Sequence, residues 1–426
     1  MNIKVKGGQV LSGEITPSGN KNSAVSLIPS TILFDHMVVL ENIPDILDVV
    51  RLISIMEKLG SRIHWDKEEM RLEMNNSKLR YENLDKDDLG NMKGTSLLWG
   101  SMLARFKKIT FKDLPGGCTL GFRTLDAHFQ AFKDLGVFVS ETNGGITMDA
   151  SKALAGCVWL TEMSVSATEN VIMLASGLTG TTTIMGAASE PHVQDLCRFL
   201  VSSGIQIGGI GSSVIRVTGG YPKTVTHRLL SDHTEITTFL TFSAATGGKV
   251  KIKDVNREFL KPMEQVFSKF GVDLIYQDGT VNIEPKEIKI IPEEKRGNLI
   301  VRAQPWPFLP VDTLPLFIPL SLAAKDGQVI FHNWMYESGL FWTSELTKLG
   351  ANIIMADPHR VIVNAGQRLH GAELEAPYII RAVVAMVIAA MISEGETIIL
   401  NADALYRGHP KFAENLRKMG ADIEEI

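Results

Sequence analysis

Residues 112–128 read "KDLPGGCTLGFRTLDAH", with Cys118 behind a Pro-Gly-Gly triplet, Arg123 five residues on, then Asp126 and His128. A free thiol titrates near ~8.5, so at neutral pH it is mostly protonated and can serve as an acid. An arginine beside it lowers that value and offers a planar fork to a phosphate or carboxylate. The chemistry within reach is proton donation next to a bound anion. A plainer account also exists: Pro115, Gly116 and Gly117 make a tight turn, and Cys118 is a small apolar residue within it. The residues alone leave both open.

Two other stretches carry similar alternatives. Lys21 and Asn22, in "SGNKNSA", stand just before a predicted helix. Helix N-termini bind anions and a lysine adds a point charge; a capped helix start with a solvated lysine is the plainer reading. Asp312, in "PWPFLPVDTLPLF", precedes a strongly apolar helix. It is either a proton-accepting carboxylate or an acid favoured by the helix dipole. Arg381 falls within the apolar "PYIIRAVVAMVIAAMI" (377–392). A buried unpaired guanidinium is costly, so a carboxylate or substrate partner is expected for it. Cys157, in "LAGCVWL", and Cys197, in "VQDLCRFL", lie in apolar patterns and read as inert core thiols.

The elements that must position these residues repeat. An amphipathic helix, a glycine and a strand recur around Gly60, Gly136, Gly204, Gly271, Gly350 and Gly420, at spacings of 76, 68, 67, 79 and 70 residues. Each glycine suits the left-handed position that ends a helix. Ahead of most copies runs a second phrase, such as "TTFLTFSAATGGKVKIKDV": a small-residue helix, a glycine or acid, and a short β-branched strand. Helices apolar on most faces are predicted central, with the amphipathic ones outside them. Six units of helix–strand–helix–strand give an α+β (α/β) fold with internal pseudo-symmetry, neither solenoid nor Rossmann. The turn-rich "GYPKTVTHRLLSD" (220–232) separates the third copy from the fourth. The first strand precedes the first helix, so the N-terminus is expected to complete the far domain. Residues 1–20 with 230–426 then form one domain. Residues 21–229 form the other, with the Cys118 loop, and the chain crosses near 20–22 and 229–232.

Composition bounds the function. A chain of 426 residues, 45% apolar and 21% charged, is of ordinary globular make-up and long enough for two or three domains. Three cysteines at irregular spacing argue against a disulfide framework and for a reducing compartment. A net charge of −5 without a dominant basic cluster argues against nucleic acid as the main partner. The start, "MNIKVKGGQVLSGEI", lacks the apolar core of a signal peptide, and 377–392 is too short to span a bilayer. A cytoplasmic protein with no membrane partner is expected.

"SGNKNSA", "NIPDILDV", "LPGGCTLGFRTLDAH", "PWPFLPVD" and "YRGHPKF", carried on six similar units, together resemble the enolpyruvyl transferases over essentially the whole chain. The Gly-Gly-Cys loop resembles the branch that takes UDP-N-acetylglucosamine into peptidoglycan synthesis; the sister branch of the shikimate pathway lacks it. The resemblance implies two inside-out α/β barrel domains, three repeats each, with the active site in the cleft between them. It implies phosphoenolpyruvate and UDP-N-acetylglucosamine as small-molecule partners, no metal or organic cofactor, a monomer, and sensitivity of the cysteine to epoxides of the fosfomycin kind.

Carried over residue by residue, the resemblance makes Cys118 the proton donor to C3 of phosphoenolpyruvate. Asp312 becomes the carboxylate near the sugar hydroxyl, and Lys21, Arg123 and Arg407 become phosphoenolpyruvate ligands. Lys93 stands where the family has an arginine for the same anion. Asn22, Asp126, His128, Ser164, Val165, Glu235 and Asp312 are implied on the nucleotide-sugar side, and Arg381 as a supporting charge. Departures cluster around the acceptor and the supporting charges: Glu162 stands for a lysine, Ser166 for a glycine, Gly339 for an arginine and Ile379 for an aspartate. An orthodox enzyme, an enolpyruvyl transferase with another acceptor, and a non-catalytic ligand-binding paralogue all remain consistent with these residues.

Overall fold

The structure is a computed structural model that describes residues 1–85, 93–112, 125–142, 145–293 and 297–426. Cys118 and Arg123 lie outside the described residues, as does the side chain of Lys93.

The chain divides into two compact units. An inserted unit lies within 19–230, and a terminal unit joins Met1–Ser18 to Ser231–Ile426. The inserted unit holds helices α1 (Lys21–Ser30), α2 (Leu47–Leu59), α3 (Trp99–Phe106), α4 (Asp126–Asp134), α5 (Val165–Ser176) and α6 (Pro191–Ser202). The terminal unit holds α7 (His233–Thr246), α8 (Arg257–Ser268), α9 (Leu314–Leu322), α10 (Ile380–Ile392) and α11 (Phe412–Lys418).

Two kinds of helix alternate, as their residue patterns predict. α9 is buried at every position and α10 throughout Ala382–Met391, because each is apolar all round. α7, α9 and α10 pack on one another inside the terminal unit, and α3 packs on α5 inside the other. The amphipathic helices end where expected: Gly60, Gly136, Gly204, Gly271, Gly350 and Gly420 all have positive φ, between 71° and 105°. One copy differs. Its amphipathic helix, Phe341–Leu349, is a 3-10 helix. The hydroxyls of Thr343, Ser344 and Thr347 each donate to the carbonyl three residues earlier, which favours the tighter winding.

The sheets repeat too. Five four-stranded sheets share one pairing scheme, a parallel contact at one end followed by two antiparallel ones. Strand Ile3–Lys6 completes one of them, between Glu396–Leu400 and Asp422–Glu425. Each unit has its own apolar core. Among the described residues no helix is long and apolar enough to cross a membrane.

One reading is corrected. Cys157 is exposed, whereas Cys197 is buried. Cys157 opens the edge strand Cys157–Trp159, whose period of two turns Val158 inward and both flanking side chains outward.

Candidate functional site

In the inserted unit, α1 starts where Asn20 caps it: the Asn20 side-chain oxygen accepts the Ser23 N–H at 2.9 Å. Lys21 and Asn22 are therefore its first two helical residues and do not precede the helix, since the capping role belongs to Asn20. The Lys21 ammonium lies 3.3 Å from the carboxylate of Asp48, with side chains 18% and 13% exposed. Asp48 comes from the first turn of α2, within "NIPDILDV". Sequence reasoning missed it, although an acid opening a helix inside a quoted motif was a usable signal.

Ser164 caps α5 through its hydroxyl, with Val165 the first helical residue and both half-buried. Glu162, two residues ahead, is exposed. Farther along α5, Asn170 accepts the Gly100 N–H at 2.7 Å and donates to the Ser96 carbonyl at 2.9 Å. Those bonds pin the 3-10 turn Lys93–Leu98 against α5. In α4, Asp126 is exposed, but His128 is only 3% exposed and stands edge-on to Trp99 at 5.9 Å. Burial lowers the His128 pKa to about 4. Neither of its ring nitrogens has a hydrogen-bond partner among the described residues.

The terminal unit brings a different group together. Asp232 caps α7, accepting the N–H groups of Thr234 at 2.8 Å and Glu235 at 3.1 Å. Burial works to raise its pKa, but Arg381 and His233 outweigh that, and the carboxyl stays below its ordinary range. Glu235 is turned into the unit and is 2% exposed. One of its carboxylate oxygens accepts from the Ser18 amide at 2.8 Å and from the Ser18 hydroxyl; the other lies 3.8 Å from His409 Nδ1. On its far side the His409 ring accepts from the Arg381 guanidinium. Arg381 lies in the first turn of α10, half-buried; where a carboxylate or substrate partner is expected, the side chain that receives it is a buried histidine, with Asp232 as the nearby opposite charge.

Asp312 is exposed, in the turn just before α9. Burial lowers the pKa of His233, while Asp232 and Asp312 pull it the other way, which sets Asp312 close to the start of α7. Trp306, from "PWPFLP", packs edge-on against both His233 and Phe259 and anchors that segment. Arg407 ends a 3-10 turn with its guanidinium over the Tyr378 ring, 5.2 Å from the centroid. Asp232, Ser18, Tyr378 and His409 were not singled out from the sequence, although each lies inside a quoted stretch.

Two departures from the family pattern acquire shapes. A Cβ on Gly339 would fall 2.3 Å from Asn333 Nδ2 and 3.2 Å from Tyr336 Cβ, so a side chain there requires the Asn333 amide to turn aside. Ile379, at the N-cap of α10, packs half-buried on the core and offers no cap hydrogen bond. Among the described residues no group of three or more His, Cys, Asp or Glu side chains is placed to hold a metal ion.

The family model described as EPSP synthase (3-phosphoshikimate 1-carboxyvinyltransferase) matches residues 5–425. A UDP-N-acetylglucosamine 1-carboxyvinyltransferase of Treponema denticola is 36% identical over 424 residues, 99% of this chain and 98% of that one. The protein of that name from Bacteroides thetaiotaomicron is 36% identical over 432 residues, 99% of each chain. In fold, the chain is similar to the enolpyruvyl transferase NikO from Streptomyces tendae, with a TM-score of 0.87 at 21% identity over 99% of this chain and 98% of that one. It is also similar to the EPSP synthase of Acinetobacter baumannii, with a TM-score of 0.75 at 15% identity over 100% of both chains. A family match running almost from end to end, with relatives 36% identical over nearly the whole chain, places the chain in the EPSP synthase family of enolpyruvyl transferases.

Proposed function

We propose that the protein transfers enolpyruvate from phosphoenolpyruvate to the 3-hydroxyl of UDP-N-acetylglucosamine and releases phosphate. The observation that carries this is full-length identity of 34–36% to curated relatives bearing that activity as their name. In this reaction the sugar oxygen attacks C2 of phosphoenolpyruvate while C3 gains a proton. The tetrahedral ketal then expels phosphate and loses a C3 proton. Cys118 gives the first C3 proton and Asp312 takes the proton of the hydroxyl. Lys21, Lys93, Arg123 and Arg407 hold the phosphate and carboxylate, where fixed cations stabilise developing charge. Asn22, Asp126, His128, Ser164 and Val165 serve the nucleotide sugar; Arg381 is a supporting cation of the site, and Glu235 stands behind it. The reading goes with a cytoplasmic monomer that engages neither nucleic acid nor membrane.

A second reading keeps the donor and changes the acceptor. Gly339 favours it, because the cation of the family pattern is absent there and the Asn333 amide fills the space beside the glycine. Glu162 favours it as well, placing an exposed carboxylate where a diphosphate would need a cation.

Phosphate release from phosphoenolpyruvate on adding UDP-N-acetylglucosamine is the test. Sustained turnover, largely lost in Cys118→Ser, is expected. Release only with a different nucleotide or sugar would transfer the assignment to the second reading. Binding of both ligands with no release across a panel of acceptors would make the protein a non-catalytic paralogue.

A further inference from the structure

Arg381 opens α10, where the positive end of the helix dipole disfavours a cation. Its contacts are unusual for a cation in that place. Asp232, the nearby carboxylate, is occupied in capping α7. The side chain that receives the guanidinium is His409, two residues beyond Arg407 and fully buried. A guanidinium has no acceptor, so His409 Nε2 must present a lone pair and the ring proton must sit on Nδ1. Nδ1 faces Glu235 at 3.8 Å, longer than a hydrogen bond, and Ser18 fixes the other end of that carboxylate. Behind the ring lies Phe412, with centroids 5.5 Å apart. Burial and Arg381 keep the imidazole neutral against the pull of Glu235 and Asp232.

A neutral acceptor differs in kind from a carboxylate. It fixes the direction of the guanidinium without cancelling its charge, which leaves the cation available to an anion. We propose that His409 is a positioning residue: through Nε2 it orients Arg381 so that the guanidinium's remaining donors receive an anionic group of the substrate, while the carboxylate of Glu235, fixed by Ser18, faces the protonated Nδ1 side of the ring. The inference rests on the reaction proposed above and adds to it the device that aims one of its cations.

Three variants of the full-length protein test it. His409→Leu removes the acceptor. His409→Asn keeps a polar side chain that ends near the Nδ1 position, too short to reach Arg381. His409→Gln places an amide oxygen near the Nε2 position. His409→Leu and His409→Asn are expected to raise KM for phosphoenolpyruvate about tenfold with kcat changed less than about threefold, and His409→Gln to recover most of that loss. Thermal unfolding is measured alongside; a purely structural role would make KM track Tm, with His409→Gln showing no special recovery, and that result would overturn the proposal. So would an unchanged KM in His409→Asn, which keeps the test alive if His409→Leu does not fold. If the parent protein turns over no UDP-N-acetylglucosamine, the functional reading fails by itself. Calorimetric binding of phosphoenolpyruvate to the same variants then decides the positioning role, with the same ranking expected.

Discussion

Lys21 does not wait for its anion in solvent. Its ammonium is held by Asp48, and both side chains are mostly buried at the joined starts of α1 and α2. Removing the acid alone takes this ion pair from a poorly solvated cation. Asp48→Ala is expected to cost about 1–3 kcal/mol of stability, and the double variant Lys21→Met, Asp48→Ala to regain part of it. Denaturant unfolding of the four proteins in a double-mutant cycle measures this; a coupling below about 0.5 kcal/mol would show that the pair carries no stability. At this scale the sequence was a partial guide. Lys21 stood out because a lysine at a helix start has a chemical meaning by itself. Asp48 acquires its meaning only from the partner that α1 brings to it.

At the scale of elements, the contact between α3 and α5 governs how the segment after Lys93 is held. Gly100 lets the helices touch backbone to backbone: a Cβ there would sit 2.1 Å from the Asn170 carbonyl oxygen. The neighbouring atoms are helix backbone and cannot swing aside. Gly100→Ala is therefore expected to lower stability by at least about 2 kcal/mol and to loosen the Asn170 bonds to Gly100 and Ser96. Equilibrium unfolding and hydrogen exchange at Gly100 check it; wild-type protection in a stable variant would refute the packing argument. The six helix-ending glycines were readable from spacing because a left-handed residue is a local demand. Gly100 was not, since its demand comes from a helix seventy residues away. The 3-10 winding of Phe341–Leu349 escaped for a related reason, as its apolar spacing suits either helix and its hydroxyls decide between them.

For the molecule as a whole, buried histidines lower stability in acid. The pKa of His128 is lowered from 6.5 to about 4 by burial, and those of His233 and His409 are lowered as well. Below pH 6.5 the unfolded chain binds protons at these rings that the folded chain refuses, so unfolding gains as pH falls. The loss runs from pH 6.5 down to the folded-state values. For His128 it reaches about 3 kcal/mol at pH 4, from roughly 1.36 kcal/mol per pKa unit. His128→Phe is expected to flatten the stability profile between pH 6.5 and 4 relative to the parent. Parallel profiles for the two proteins would show that His128 is already accessible to protons when folded.

The sequence by itself determined the six repeats, the glycines that close their helices, the buried against amphipathic helix types and the motifs of the family. All of these are written in short stretches, where hydropathy period and backbone conformation depend on near neighbours. The tertiary structure alone decided which charges meet. Ser18 reaches Glu235 across 217 residues, and Arg381 reaches His409 across 28. Glu235 reads as a polar residue of the nucleotide-sugar side, and folding turns it inward as the anchor of a histidine. Gly339 reads as a missing arginine, and in the fold the Asn333 amide occupies the space beside it. A residue type states what a side chain can do; the packing of distant elements states what it faces, and electrostatic and steric energies depend on the second.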